Sequence, residues 1–379
     1  MAALQGVLDR IDQHSDTIAG HADWSEANSQ LHKETFACLI DIGVPRLFLP
    51  ASLGGLEIEP ASCARICERL ADLDSAAAWH VMVFNAARLM AATWPVELVE
   101  RIWKNNPDVL VAASGHSPLQ GEQTDPHHVT IHGTQRFVSG CQHGEWLMTP
   151  VILAGQPHMA LLPMRACQIQ DNWDTLGMRG SGSNDVLVDG VTVPAEQVVS
   201  AAAATANSHY NGQLYRCPSR VVFATYVPVA LSLAGRALEL VKTLASAKTQ
   251  GGTANKLRDR MLGQVHYGKA LAEHRASKQF FYAELEKAWA RAAAGNEFTP
   301  EDRADLYLAG THAVQASASV VRKVADIAAT TVVAKAHPLD RISRDMETLR
   351  HHGFVSESRY ASVTQIHWNA ELDYPQLLR

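Results

Sequence analysis

The stretch richest in chemistry is Arg136–Trp146, RFVSGCQHGEW. Phe137 and Val138 end an alternating run, and the alternation stops at Ser139-Gly140. A glycine there lets backbone approach a flat ligand with no Cβ in the way, and Ser139 adds a hydroxyl that both donates and accepts. An ordinary strand end explains the same residues. A second candidate is His80, which interrupts the otherwise apolar SAAAWHVMVFN. Burial would keep it neutral, suited to a substrate hydroxyl, and with Trp79 and Phe84 it would line an apolar pocket for a flat ring. The alternative is a core histidine bonded to a neighbour. A third is His352, with His351 as its rival. At a helix end its cation would be stabilised by the C-terminal dipole, and it can give or take a proton. Simply capping that helix is the other reading.

Other patterns argue against common chemistries. The 18 histidines are scattered and show no HExxH or CxxC spacing, so no metal site is expected. Gly177, Gly180 and Gly182 surround Arg179 but do not follow GxGxxG at a helix start. A tight loop between strands fits them better than a nucleotide cradle.

These residues need elements to hold them. From 1 to 106 the periodicity is helical: Ser25 is expected to cap a helix ending at Gly43, Pro50 and Gly54-Gly55 to form a loop, and Pro60 and Asp74 to begin two further helices. From 107 to 205 the runs are short and β-branched, as in a small β-barrel or sandwich. Within it, HHVTIHG is expected to turn at His132-Gly133, with Thr134–Val138 returning antiparallel. AAAATANSHYNGQ reads as a linker. From 206 to 379 long helices return: one kinked at Pro228, one over roughly Leu257–Ala294, one capped by Thr299, and two shorter ones near Leu339–Arg350 and Glu357–Glu371. The fold class is α+β, mostly α: an N-terminal helical domain, a central small β-barrel or sandwich and a C-terminal four-helix bundle.

Composition is that of an ordinary soluble globular protein. The 379 residues are 47% hydrophobic and 19% charged, and a net charge of -6 argues against nucleic acid as a partner. No signal peptide and no run of about 20 apolar residues is apparent, so a cytoplasmic protein without a membrane span is expected. The six cysteines are read as thiols.

The order of domains resembles the acyl-CoA dehydrogenase superfamily. FLPASLGGLEIEP looks like its loop after the second helix, WDTLGMRGSGSNDVLVDGVTVPAEQV is similar to its LGxRGS segment, and RISRDMETLRHH resembles its C-terminal "RD" helix. In dehydrogenases of the most familiar branch, a glutamate shortly after that pair removes a proton α to a thioester. Here the aligned residue is Gly353. SGCQHGEW and LASAKTQGGTANKL instead resemble the two-component flavin monooxygenases similar to dibenzothiophene monooxygenase and 4-hydroxyphenylacetate hydroxylases.

That resemblance implies a reduced-flavin-dependent monooxygenase. It would insert one oxygen atom from O2 into an aromatic or heteroaromatic small molecule through a flavin C4a-hydroperoxide. It implies reduced FMN or FADH2 as cofactor, a separate NAD(P)H:flavin reductase as partner and a homotetramer. By residue it implies Ser139 and His352 as catalytic and Phe137, Val138, Ser139 and Gly140 around the flavin. Lys248, by charge and position, is a candidate for the flavin phosphate, a solvated lysine being the other reading, and the apolar pocket of Trp79, His80 and Phe84 is expected toward the substrate. Thr330 and Thr331 stand where glycines are common in the family. An acyl-CoA dehydrogenase with its base elsewhere, an N-oxygenase on the same fold and a non-catalytic flavin-binding protein are the alternatives.

Overall fold

The computed structural model describes residues 2–201, 207–249 and 256–378. Residues 202–206 of the expected linker and 250–255 of the LASAKTQGGTANKL segment lie outside them. Seven helices come first: α1 (Ala2–Gln13), α2 (Ser15–Gly20), α3 (Ala22–Asn28), α4 (Lys33–Ile42), α5 (Pro60–Ala71), α6 (Ser75–Met90) and α7 (Val96–Trp103). Eight strands follow: β1 (Val111–Ala113), β2 (Leu119–Asp125), β3 (His128–Val138), β4 (Trp146–Leu153), β5 (Gln156–Pro163), β6 (Gln168–Ile169), β7 (Asn184–Pro194) and β8 (Val198–Ser200). The chain closes with α8 (Val227–Ala247), α9 (Met261–Ala293), α10 (Pro300–Ala328), α11 (Pro338–Leu349) and α12 (Arg359–His367).

By contact the chain forms two compact units. The first holds residues 1–59, 76–174 and 179–222. Its strands form one sheet in the order β6-β7-β3-β2-β4-β5-β8, with β1 parallel to β4. Val129, Ile131 and Val138 face its core with Val186, Val188 and Leu147. A second apolar cluster joins α7, through Leu98, Ile102 and Trp103, to Met148 and Leu161 of the sheet. Beneath it the buried Arg88 guanidinium donates to the carbonyls of Pro107 and Val109. Desolvation lowers its pKa to about 9.

The second unit holds residues 60–75, 175–178 and 223–379. Here α8, α9 and α10 pack along one another, joined by α5, α11 and α12. The α10 face of Leu306, Ala309, Ala313, Ala316, Val320 and Val324 is buried as its spacing requires. Thr299 and Asp302 form a capping box at its start.

Local chemistry changes three expectations. His132-Gly133 is not a turn: β3 runs straight through, the hairpin turns at Pro126-His127, and Gly133 at φ 135° sits at a register shift against β7. The helix expected from Ser25 to Gly43 breaks into α3 and α4. Ser29 takes a left-handed φ of 52°, and His32 rather than Ser25 caps α4 by accepting from Glu34 N–H. Pro228 does not kink a long helix; it occupies the first turn of α8, where no N–H is needed, and Ser219–Thr225 ahead of it is a 3-10 helix. Ser219–Ala247 is long and apolar enough to span a membrane, an 18-residue window in it reaching a mean hydropathy of 1.6, but 89% of that window is buried inside the protein, as in a core helix. All six cysteines are free thiols.

Candidate active site

At the end of β3 the chain makes a strained turn. Phe137 is 46% exposed and held at φ 59°, a left-handed conformation that costs a non-glycine residue about 1–3 kcal/mol. Its N–H donates to Asp185 Oδ1 at 3.3 Å, and its carbonyl accepts from Ser139 N–H at 3.1 Å. The Arg136 guanidinium lies 5.1 Å over its ring, with Trp173 6.3 Å and His116 5.4 Å away edge-on. Asn184 Oδ1 accepts from the N–H groups of Asn172 and Trp173 and so fixes the tryptophan. Val138 points the other way, fully buried in the sheet core, so only its backbone can serve a ligand.

Ser139 and Gly140 are held by α6. The Trp79 indole N–H donates to Ser139 Oγ at 3.1 Å. Gly140, at φ 69°, packs so closely that a Cβ would lie 2.9 Å from Val83 Cγ1 and 3.3 Å from His80 Nε2. His80 is fully buried beneath this turn and donates through Nδ1 to Ala76 O at 2.8 Å, which leaves Nε2 as an acceptor without a partner. Desolvation lowers its pKa to about 4, so it is neutral, as the sequence suggested. Phe84 is also fully buried; its ring lies 5.5 Å from Phe36, which stacks on His143 at 4.3 Å. Trp79 and His80 thus meet the turn, whereas Phe84 faces the helical interior.

His352 and Lys248 belong to the second unit. His352 Nδ1 accepts from Phe354 N–H at 3.4 Å, which puts the proton of the neutral ring on Nε2. Tyr226 and Phe354 lie 5.5 and 5.2 Å from its centroid. The expected cation is not what this setting favours. Part of the ring's surface stays accessible, yet the surrounding protein strips enough solvent to lower its pKa to about 4. His351, exposed, lies 3.4 Å from Glu347 Oε1. Lys248 Nζ donates to Ala328 O at 3.2 Å and Thr331 Oγ1 at 2.7 Å, neutralising the C-terminal end of α10. The threonine that departs from the family pattern therefore has a partner here.

Sequence reasoning missed Ser181 and Ser183 of the RGSGS loop. Ser183 Oγ lies 2.7 Å from Ser139 Oγ and 2.8 Å from Ser181 Oγ, and Gly140 N–H donates to Ser181 O. A run of serines between glycines was the available signal. His21, His32 and Glu34 also bring donor atoms within 4.8 Å of one another. The two imidazoles are stacked at 3.8 Å with planes 18° apart, so their lone pairs do not converge on one ion.

Comparison with known proteins agrees with this architecture. Residues 224–357 match the family described as acyl-CoA dehydrogenase, C-terminal domain. An indole-3-acetate monooxygenase of Pseudomonas putida is 31% identical over 92% of this chain and 90% of its own. The oxygenase subunit of a flavin-dependent monooxygenase, HsaA of Mycobacterium tuberculosis, is 25% identical over 92% and 91%. XiaF from a Streptomyces species, solved with FADH2 and glycerol, superposes with a TM-score of 0.92 over 98% of this chain and 97% of its own at 17% identity. The chain belongs to the flavin-dependent monooxygenase branch of the acyl-CoA dehydrogenase superfamily.

Proposed function

We propose that this enzyme is an oxygenase component that uses reduced FMN or FADH2, delivered by a separate NAD(P)H:flavin reductase, and O2 to hydroxylate an aromatic or heteroaromatic small molecule. The observation that carries the reading is the Phe137–Gly140 turn: an exposed, strained aromatic beside Trp173, followed by a pinned hydroxyl and a residue without a Cβ. Those features fit a flat heteroaromatic cofactor with polar atoms at its edge. Bound reduced flavin supplies the electrons that activate O2.

The roles follow from the contacts. Phe137, the Val138 backbone, Ser139 and Gly140 receive the flavin ring. Lys248 is the candidate for its phosphate, exchanging its bonds to Ala328 and Thr331 for that charge. Trp79 fixes Ser139, and His80 and Phe84 support the substrate side through α6. His352 works as a neutral imidazole that donates from Nε2. With Gly353 open to solvent where dehydrogenases of the familiar branch carry their base, no carboxylate stands at that position. The relatives' names favour an aromatic substrate; indole-3-acetate is the first compound to try. Assembly as a homotetramer and domain boundaries at 106 and 205 belong to the same reading.

The test supplies reduced FMN from a generic reductase, with 18O2 and a panel of aromatic acids, indoles and phenols. One labelled oxygen in the product is the expected result. No incorporation across the panel, together with anaerobic bleaching of bound FAD by an acyl-CoA, would overturn the reading in favour of a dehydrogenase.

A further inference from the structure

Ser139 stands at one end of a row of three buried hydroxyls, Ser139, Ser183 and Ser181, spaced 2.7 and 2.8 Å apart. An indole N–H only donates, so Trp79 occupies one lone pair of Ser139 Oγ. One lone pair and one proton remain to be divided between Ser183 and whatever meets the turn from outside. Two arrangements satisfy this geometry. In one, Ser181 donates to Ser183 and Ser183 to Ser139, and the Ser139 proton points outward to an acceptor. In the other, Ser139 donates to Ser183 and Ser183 to Ser181, and the second lone pair of Ser139 is offered outward to a donor.

The geometry points to a reversible hydroxyl row that matches both redox states of the flavin. Ser139 donates to the bare N5 of the oxidised ring and accepts from the N5–H of the reduced ring, while Trp79 keeps it from turning away. This deepens the reading of Ser139 as a flavin-facing residue and rests on it. Ser183 and Trp79 are positioning residues; no bond to a heavy atom changes in the row, only the direction of its hydrogen bonds. Reduced flavin depends on the row more than oxidised flavin does. Without Ser183 the Ser139 proton loses its inward acceptor and competes with the incoming N5–H, whereas outward donation to a bare N5 survives.

The experiment measures affinities for oxidised FMN and, anaerobically, for reduced FMN, with FAD in parallel. Ser183→Ala should weaken reduced flavin about five- to tenfold, the worth of one neutral hydrogen bond, and change oxidised flavin less than about twofold. Trp79→Phe should weaken both states, and added to Ser139→Ala should cost nothing beyond Ser139→Ala alone. Equal losses in the two redox states for Ser183→Ala, or none, overturn the row, and this variant decides alone if Trp79→Phe does not fold. If Ser139→Ala leaves both affinities unchanged, Ser139 does not face the flavin, and the parent reading falls with the row.

Discussion

The Met178 backbone N–H donates to the Asp345 carboxylate at 2.6 Å, and Leu176 O accepts from Arg344 Nη1 at 3.0 Å, so residues 175–178 are tied to the "RD" helix. The neighbouring Gly177 fits against the same helix only because it lacks a Cβ, which would fall 2.2 Å from Arg344 O. Met178 itself is held at φ 54°. The other carboxylate oxygen accepts from Ser75 Oγ and lies 3.9 Å from Arg341 Nε, whose guanidinium also reaches Asp74 at 3.4 Å. Asp345 is buried, so replacing it with Ala strands several donors at once. Asp345→Ala should cost about 3–5 kcal/mol, and Asp345→Asn, which keeps acceptor capacity, about 1–3. Urea unfolding measures both; an Ala variant losing under about 1 kcal/mol would show that other contacts hold the strained Met178.

Burial of histidines predicts acid sensitivity. His80, His274 and His352 have pKa values lowered to about 4, chiefly by desolvation, against about 6.5 in the unfolded chain. Between those values the unfolded chain binds more protons than the folded one. The stability these neutral rings contribute is therefore complete above about pH 6.5 and is lost as pH falls toward 4. For the fully buried His80 the loss is on the order of 2–3 kcal/mol. His80→Gln should flatten the stability curve between pH 6.5 and 4 relative to wild type; an unchanged slope would show that His80 finds a partner when protonated.

What could be read from the chain depended on range. The Thr299 N-cap and the stop at Gly43 are written within four or five residues, and both were legible, whereas the reciprocal bond from Asp302 that completes the capping box was not read. The break between α3 and α4 was not, because it hangs on a left-handed Ser29 that no local rule demands and on Ser25 Oγ accepting from His32 N–H. Gly133 and Pro228 were recognised as special, but a bulge and a turn share glycine, and a kink and a helix start share proline. At the site, the broken alternation at Ser139-Gly140 was visible. The partners of that serine lie 60 residues back and 44 ahead, so only tertiary packing reveals them.

Lys248 has two claims on its charge. It bonds Ala328 O and Thr331 Oγ1 at the end of α10, beside an Ala329 held at φ 52°. As a phosphate ligand it would discriminate flavins by their tails. Lys248→Met should then weaken FMN about tenfold and leave riboflavin within about twofold, with about 1 kcal/mol lost from stability at the helix end. Equal losses for FMN and riboflavin would confine the lysine to capping α10.

The proposed role of His352 would separate binding from chemistry. Its ring is neutral near pH 7, with Nδ1 accepting from Phe354 N–H and Nε2 carrying the proton, so its contribution is a donated hydrogen bond and not a positive charge. A donor aimed at a reacting oxygen affects turnover; it is not needed to hold the flavin ring. His352→Ala should lower hydroxylated product per flavin oxidised at least about tenfold while reduced-FMN affinity stays within about twofold. Because the wild-type ring does not titrate near neutrality, no limb of the pH–rate profile between 6 and 8 should vanish in His352→Gln. Product yield and O2 consumption measured together give the answer: a His352→Ala enzyme that keeps full coupling of O2 to product would remove this residue from the mechanism.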